Sequence, residues 1–214
     1  MEKKIAELLL DIGAVILRPN EPFTWASGIQ SPIYCDNRLL LGYPEARKQV
    51  RDSLLCLINK FCPNVEIIAG VATAGIPHAA WIAESLNKPM VYIRQAQKDH
   101  GKKNQVEGPL KKGQKMVVIE DLISTGGSSV ACIEAARAEG AVVEHCFAIF
   151  QYGFPEALKK FEEAHCKLTT LTDFQTLLGV AKKRGTITVD QEKLLQRFTA
   201  NPRDWLLNHT PSHL

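Results

Sequence analysis

Hydrophobic and polar positions along this chain follow two rhythms. Residues 5–16 place Ile5, Leu8, Leu9, Ile12, Val15 and Ile16 at the spacing of one helical face, which predicts a helix packed against the body and ended by Arg18-Pro19-Asn20. Helical signals return over 43–60, opened by Gly42-Tyr43-Pro44, and through Ala79, Ala80, Ile82, Ala83 and Leu86. They appear again over 130–140 with Gly140 at the end, over 156–163, from Thr172-Asp173-Phe174 through Val180, and over 187–198 and 201–207. Between them lie short apolar, β-branched runs at 66–70, 89–93, 116–119 and 141–150, with a further edge strand at 166–170. Strands alternating with helices predict an α/β domain with a mostly parallel central sheet flanked by helices.

Two stretches break both rhythms. Residues 23–40, FTWASGIQSPIYCDNRLL, mix aromatic rings with Ser27-Gly28, Ser31-Pro32 and Asp36-Asn37-Arg38. Such a segment suits the lining of a pocket for a flat polar ring, and an ordinary hairpin with a Ser-Gly turn accounts for it equally well. Residues 94–108 hold Arg94, Lys98, Lys102, Lys103 and His100 with few apolar groups and two glycines, which predicts a solvent-facing loop. A solvated charged loop is one reading. A lid that carries cations over a polyanion is the other.

The richest chemistry follows the 116–119 strand. Glu120-Asp121 ends that apolar run, and because adjacent carboxylates are costly to bury, they are expected to emerge at the sheet's carboxyl edge, where open α/β sheets bind ligands. Next comes Ser124-Thr125-Gly126-Gly127-Ser128-Ser129, immediately before a helix. Glycine permits a tight turn, hydroxyls donate, and the free N–H groups of a helix start point back at a bound anion. A capped turn alone also fits these residues. As a ligand site, the order asks for hydroxyls about a sugar's width from a phosphate. A second strand, small-residue loop and helix at Val71-Ala72-Thr73-Ala74-Gly75-Ile76-Pro77 offers a weaker anion cradle.

Composition narrows the class without naming a chemistry. The 214 residues are 45% hydrophobic and 23% charged, which suits one sizeable core and excludes disordered, collagen-like and coiled-coil chains. A net charge of +3 is too small to argue for nucleic acid. Cys35, Cys56, Cys62, Cys132, Cys146 and Cys166 lack the spacing of a zinc site or a redox pair. Glu7 and Asp11 interrupt the apolar start, and no apolar run approaches membrane-spanning length. A cytoplasmic protein with neither nucleic acid nor membrane as partner is expected.

IEDLISTGGSS resembles the phosphoribosyl pyrophosphate motif of the type I phosphoribosyltransferases. That resemblance implies the fold of that family, a single domain over 1–214 with residues 1–40 forming a hood, and a donor held by Glu120, Asp121, Leu122, Ile123, Ser124, Thr125, Gly126, Gly127 and Ser128. It places the pyrophosphate on Thr73 and Ala74, and it implies magnesium as cofactor, met by Asp121 through water. The 23–40 segment and the 94–108 loop are similar to those of orotate phosphoribosyltransferases of the Gram-positive type. In that family the loop is a catalytic lid contributed across a homodimer interface, so Arg94, Lys98 and His100 would bind the donor and, with Asp121, act in catalysis. Orotate would meet Ser27, Gly28, Tyr34 and Ser124. The chain departs from relatives that carry lysine at Ala26, Ala74 and Gln95, and it lacks an arginine near 150–155, where Tyr152 or Phe154 would border the pocket. A purine phosphoribosyltransferase, or a non-catalytic sensor of phosphoribosyl pyrophosphate, are the alternatives. The first would need a hydrophobic purine hood and the second a nucleic-acid-binding element.

Overall fold

The computed structural model describes residues 1–24, 28–95, 105–202 and 205. Helix α1 (Glu2–Asp11) leads into β1 (Val15–Leu17), β2 (Phe23–Thr24), β3 (Gln30–Ser31) and β4 (Ile33–Cys35), then a 3-10 turn (Asn37–Gly42) and α2 (Pro44–Phe61). There follow β5 (Ile67–Val71), α3 (Gly75–Leu86), β6 (Met90–Ile93), β7 (Val106–Glu107), β8 (Lys115–Ile123), α4 (Gly127–Ala138) and β9 (Val142–Gln151). The chain continues through α5 (Pro155–Glu163), β10 (Lys167–Asp173), α6 (Phe174–Lys183) and α7 (Val189–Ala200).

Six strands form the main sheet in the order β10-β9-β8-β5-β6-β7, all parallel except β7, which runs antiparallel to β6. Side chains alternate across each strand, so the sheet has two packed faces. Val117, Ile119, Phe147 and Ile149 face a core shared with α1, α2, α3, α6 and α7, while Met116, Val118, Cys146 and Ala148 face one shared with α4 and α5. β5 is buried throughout its length, as a central parallel strand covered on both faces must be. β10 is the edge strand expected from its mixed polarity.

Several boundaries depart from the sequence reading, each for a local reason. The first helix stops at Asp11 because Gly13 takes a left-handed φ of 70°, and Val15, Ile16 and Leu17 turn into a strand paired with β4. A helical spacing continued by chance into a strand. At the far end of the 94–108 stretch Val106 and Glu107 pair antiparallel with Ile93 and Tyr92, so that end is strand. α7 ends at Ala200, and Asn201 leaves it with φ −146° and ψ 85°, outside helical geometry; most of the expected 201–207 piece lies outside the described residues. Asp173 caps α6 by accepting from the Thr176 N–H at 2.8 Å, and Thr188 with Gln191 forms a capping box on α7. All six cysteines are free thiols, and no helix among the described residues is long and apolar enough to cross a membrane.

Candidate active site

β5 and β8 are neighbours, yet the chain leaves β5 toward β6 on one side and β8 toward β9 on the other. Where connections diverge in this way, a crevice opens outside the strands' carboxyl ends. The loops 72–74 and 124–126 border it, and each feeds a helix start, α3 at Gly75 and α4 at Gly127. Space there is tight: a methyl group on Gly75 would come within 2.5 Å of the Ile119 carbonyl oxygen. Only glycine lets α3 approach β8 so closely.

Glu120 and Asp121 are adjacent and therefore face opposite sides of the sheet. Glu120, 5% exposed, meets α4: the Ser129 hydroxyl donates to Oε2 at 3.0 Å, and the Asp121 N–H donates to Oε1 at 3.1 Å. Half-buried Asp121 belongs to the side of the 3-10 turn, from which Asn37 Nδ2 donates to its carbonyl oxygen at 2.7 Å. The expectation that both carboxylates emerge at the sheet edge is therefore corrected for Glu120, because β8 runs on to Ile123 and two donors replace water around it. Burial, reinforced by the charge of Asp121, raises the Glu120 carboxyl well above the usual value. Burial raises Asp121 as well, against the lowering effect of Glu120 hydrogen bonding and of Arg38.

Each of these acids holds its proton more tightly than in water, and a bound cation would favour the ionised form of both. Among the described residues no cluster of three or more His, Cys, Asp or Glu side chains forms, so the pair cannot cage an ion alone. Magnesium bound through one or two carboxylates, with ligand phosphates and water completing the shell, fits this donor set.

Below the pair, Leu122 and Ile123 send their side chains into the two cores, and the Ile123 carbonyl accepts the Tyr152 N–H at 3.1 Å. Ser124 is half-buried and Thr125 exposed. Gly126, at φ 75°, ends the loop and places its Cα 's missing methyl position 3.3 Å from the Ala157 Cα of α5. α4 begins three residues before the expected start, so Gly127, exposed Ser128 and buried Ser129 form its first turn and their N–H groups open on the loop. On the β5 side Thr73 is exposed, Ala74 is half-buried, and the Ala72–Thr73 peptide is cis. His78, in the first turns of α3, is buried and pushed down to about 4, which keeps its ring neutral and leaves it no acid–base role near neutral pH.

Arg94 stands at the foot of the 94–108 loop. Its N–H donates to the Gln105 carbonyl at 2.9 Å, and its guanidinium lies 3.6 Å from a Glu107 carboxylate oxygen. Glu139 accepts the N–H groups of Gln105 and Val106, both at 3.1 Å, pinning the loop's return. On the amino-terminal side Gly28 has φ 81°, and exposed Tyr34 lies with its ring 5.6 Å from that of Phe23. β2 and β3 pair antiparallel, as the hairpin reading of that segment expects, and Ile29 beside them lines a groove with Thr125. Tyr152 and Phe154 stack at 5.3 Å, and Phe154 borders the same groove. Ser27, Lys98 and His100, like Ala26, lie outside the described residues. The sequence reading did not single out Ser129 as the partner of Glu120, Asn37 as the tie to Asp121, or Lys160, whose Nζ reaches the Thr125 carbonyl at 3.2 Å.

This pairing of a switch-point crevice, split carboxylates and a glycine-led helix start defines a sugar-phosphate transfer domain, and the family model for the phosphoribosyl transferase domain matches residues 43–175. Orotate phosphoribosyltransferases from Listeria innocua and Enterococcus faecalis are 53% and 55% identical over 205 and 203 residues, covering 96% and 95% of this chain and 98% and 97% of theirs. The crystal structure of orotate phosphoribosyltransferase from Aeropyrum pernix superposes with a TM-score of 0.75 at 32% identity, over 86% of this chain and 99% of that one. The chain belongs to the orotate phosphoribosyltransferase family.

Proposed function

We propose that this protein transfers the 5-phosphoribosyl group of phosphoribosyl pyrophosphate to orotate, giving orotidine 5'-monophosphate and pyrophosphate. The observation that carries this reading is the pair of buried Glu120 and half-buried Asp121 directly ahead of the Gly126–Gly127 helix start. Asp121 holds the ribose hydroxyls, with Glu120 behind it against α4, and the field of the two acids favours positive charge developing on the sugar. The N–H groups and hydroxyls of residues 124–128 take the 5-phosphate, and the loop at Thr73-Ala74 takes the pyrophosphate. Magnesium, met by Asp121 through water, would supply charge to the departing pyrophosphate. Arg94 and Lys98 bring further positive charge to that leaving group, with Lys98 carrying the largest rate effect, and His100 donates to it. Ser124, Ser27, Gly28 and Tyr34 border the base.

The working unit in this reading is a cytoplasmic homodimer in which each lid serves the partner's site. Exposed Leu39, Leu41 and Tyr43, at 43%, 41% and 46%, give the 3-10 turn an apolar face suited to a second copy. The amino-terminal hairpin, with exposed polar Thr24 and Gln30, suits a pyrimidine better than the hydrophobic hood a purine needs. Absorbance assays with phosphoribosyl pyrophosphate and magnesium, run with orotate beside adenine, hypoxanthine, xanthine and uracil, test the reading. Orotate alone should be consumed; turnover of a purine, or of no base at all, would overturn it.

A further inference from the structure

The cradle at residues 124–128 has a wall that its sequence motif does not include. α5 lies against it, with Ala157 and the Phe161 ring 3.3 and 3.4 Å from where a methyl on Gly126 would sit. One turn further along, Lys160 donates from Nζ to the Thr125 carbonyl at 3.2 Å and pairs with Glu156. The same ammonium would stand 3.6 Å from a methyl built on Gly127. Residues 124–129 themselves contain no cation, so a phosphate dianion there would meet only hydroxyls and N–H groups.

A peptide unit is planar, and in its trans form the carbonyl and the following N–H point in opposite directions. Holding the Thr125 carbonyl toward α5 therefore turns the Gly126 N–H the other way, into the crevice. We infer that Lys160 is a positioning residue for the sugar 5-phosphate: it fixes the Thr125–Gly126 peptide with its N–H toward the ligand and adds positive charge beside the first turn of α4. Glu156 opposes the second effect by offsetting that charge, and both side chains retain contact with solvent, at 34% and 61% exposure. The contribution is consequently modest. It rests on the reading of 124–128 as the phosphate cradle.

The test is titration calorimetry on the full chain with two probes, ribose 5-phosphate, which carries the sugar phosphate, and pyrophosphate, which lacks it. Lys160→Met should weaken ribose 5-phosphate roughly three- to fivefold, the size expected of a half-exposed charge contact, and leave pyrophosphate unchanged. Lys160→Arg should recover most of the loss, and Glu156→Gln should tighten ribose 5-phosphate. Steady-state turnover should show the Lys160→Met effect as a raised KM for the donor with kcat little changed. Unaltered ribose 5-phosphate binding in Lys160→Met, or an equal loss for both probes, would overturn the assignment. Failure of the unsubstituted protein to bind ribose 5-phosphate would overturn the cradle reading and this inference with it.

Discussion

Glu120 shows what a single residue contributes and what it costs. Its carboxyl is raised by burial and by Asp121, so the folded chain binds the proton more tightly than the unfolded chain does. For a raised acid the sign is fixed: folding is favoured while the group is protonated in both states, and stability falls as pH climbs from the unfolded value through the folded one. Glu120→Gln removes that fall, and the Ser129 hydroxyl can turn to accept from the new amide. The variant should be more stable than the parent at neutral pH by roughly 1–4 kcal/mol, with the difference shrinking as pH drops toward 4. Urea unfolding at several pH values checks it, and a variant less stable at pH 8 would show that the buried charge is already compensated. Turnover should fall at the same time, since the stabilising change removes the carboxylate that stands beside Asp121. The two acids were legible as neighbours in sequence. Their separation onto opposite faces was not, because it depends on β8 continuing four residues beyond the apolar run at 116–119.

Among the elements, the close seat of α3 on β8 sets the distance between the two anion loops. A methyl on Gly75 would press on the Ile119 carbonyl at 2.5 Å and lie 3.4 Å from the Glu120 Cα, and neither backbone atom can swing aside as a side-chain tip would. Gly75→Ala should therefore cost roughly 1–3 kcal/mol in urea unfolding with an unchanged denaturant slope. Gly42→Ala, where nothing lies within 4 Å, serves as the control and should stay within about 0.5 kcal/mol. The strand and helix alternation from α2 to α6 was legible because each element buries one face and repeats its period. The segment before α2 was not, since β1 to β4 are each two or three residues long and some of what holds them lies far along the chain. One such partner is Trp205, whose Nε1 donates to the Gln30 carbonyl at 2.7 Å across most of the chain. Periodicity in a short window cannot report a contact of that range.

At the scale of the whole molecule, the open question is whether one chain completes its own site. Asp121 lies on β8 in the body, whereas Lys98 belongs to the loop whose feet are Arg94 and Gln105. If each lid serves the partner, a chain carrying Lys98→Ala still offers an intact body, and a chain carrying Asp121→Asn still offers an intact lid. Each variant alone should be nearly inactive, Lys98→Ala through turnover and Asp121→Asn through both turnover and donor binding. Mixed in equal amounts, unfolded and refolded together, half the dimers are hybrids, and each hybrid has one site with both defects and one with neither. Activity should then recover to about a quarter of the parent's, the statistical yield for an isologous dimer. Were the lid to close over its own chain's carboxylates, every site in every hybrid would carry one defect and mixing would restore nothing. Size-exclusion chromatography of the same mixture separates that outcome from a failure to associate, because a monomer elutes at half the mass and could complete its site only in cis.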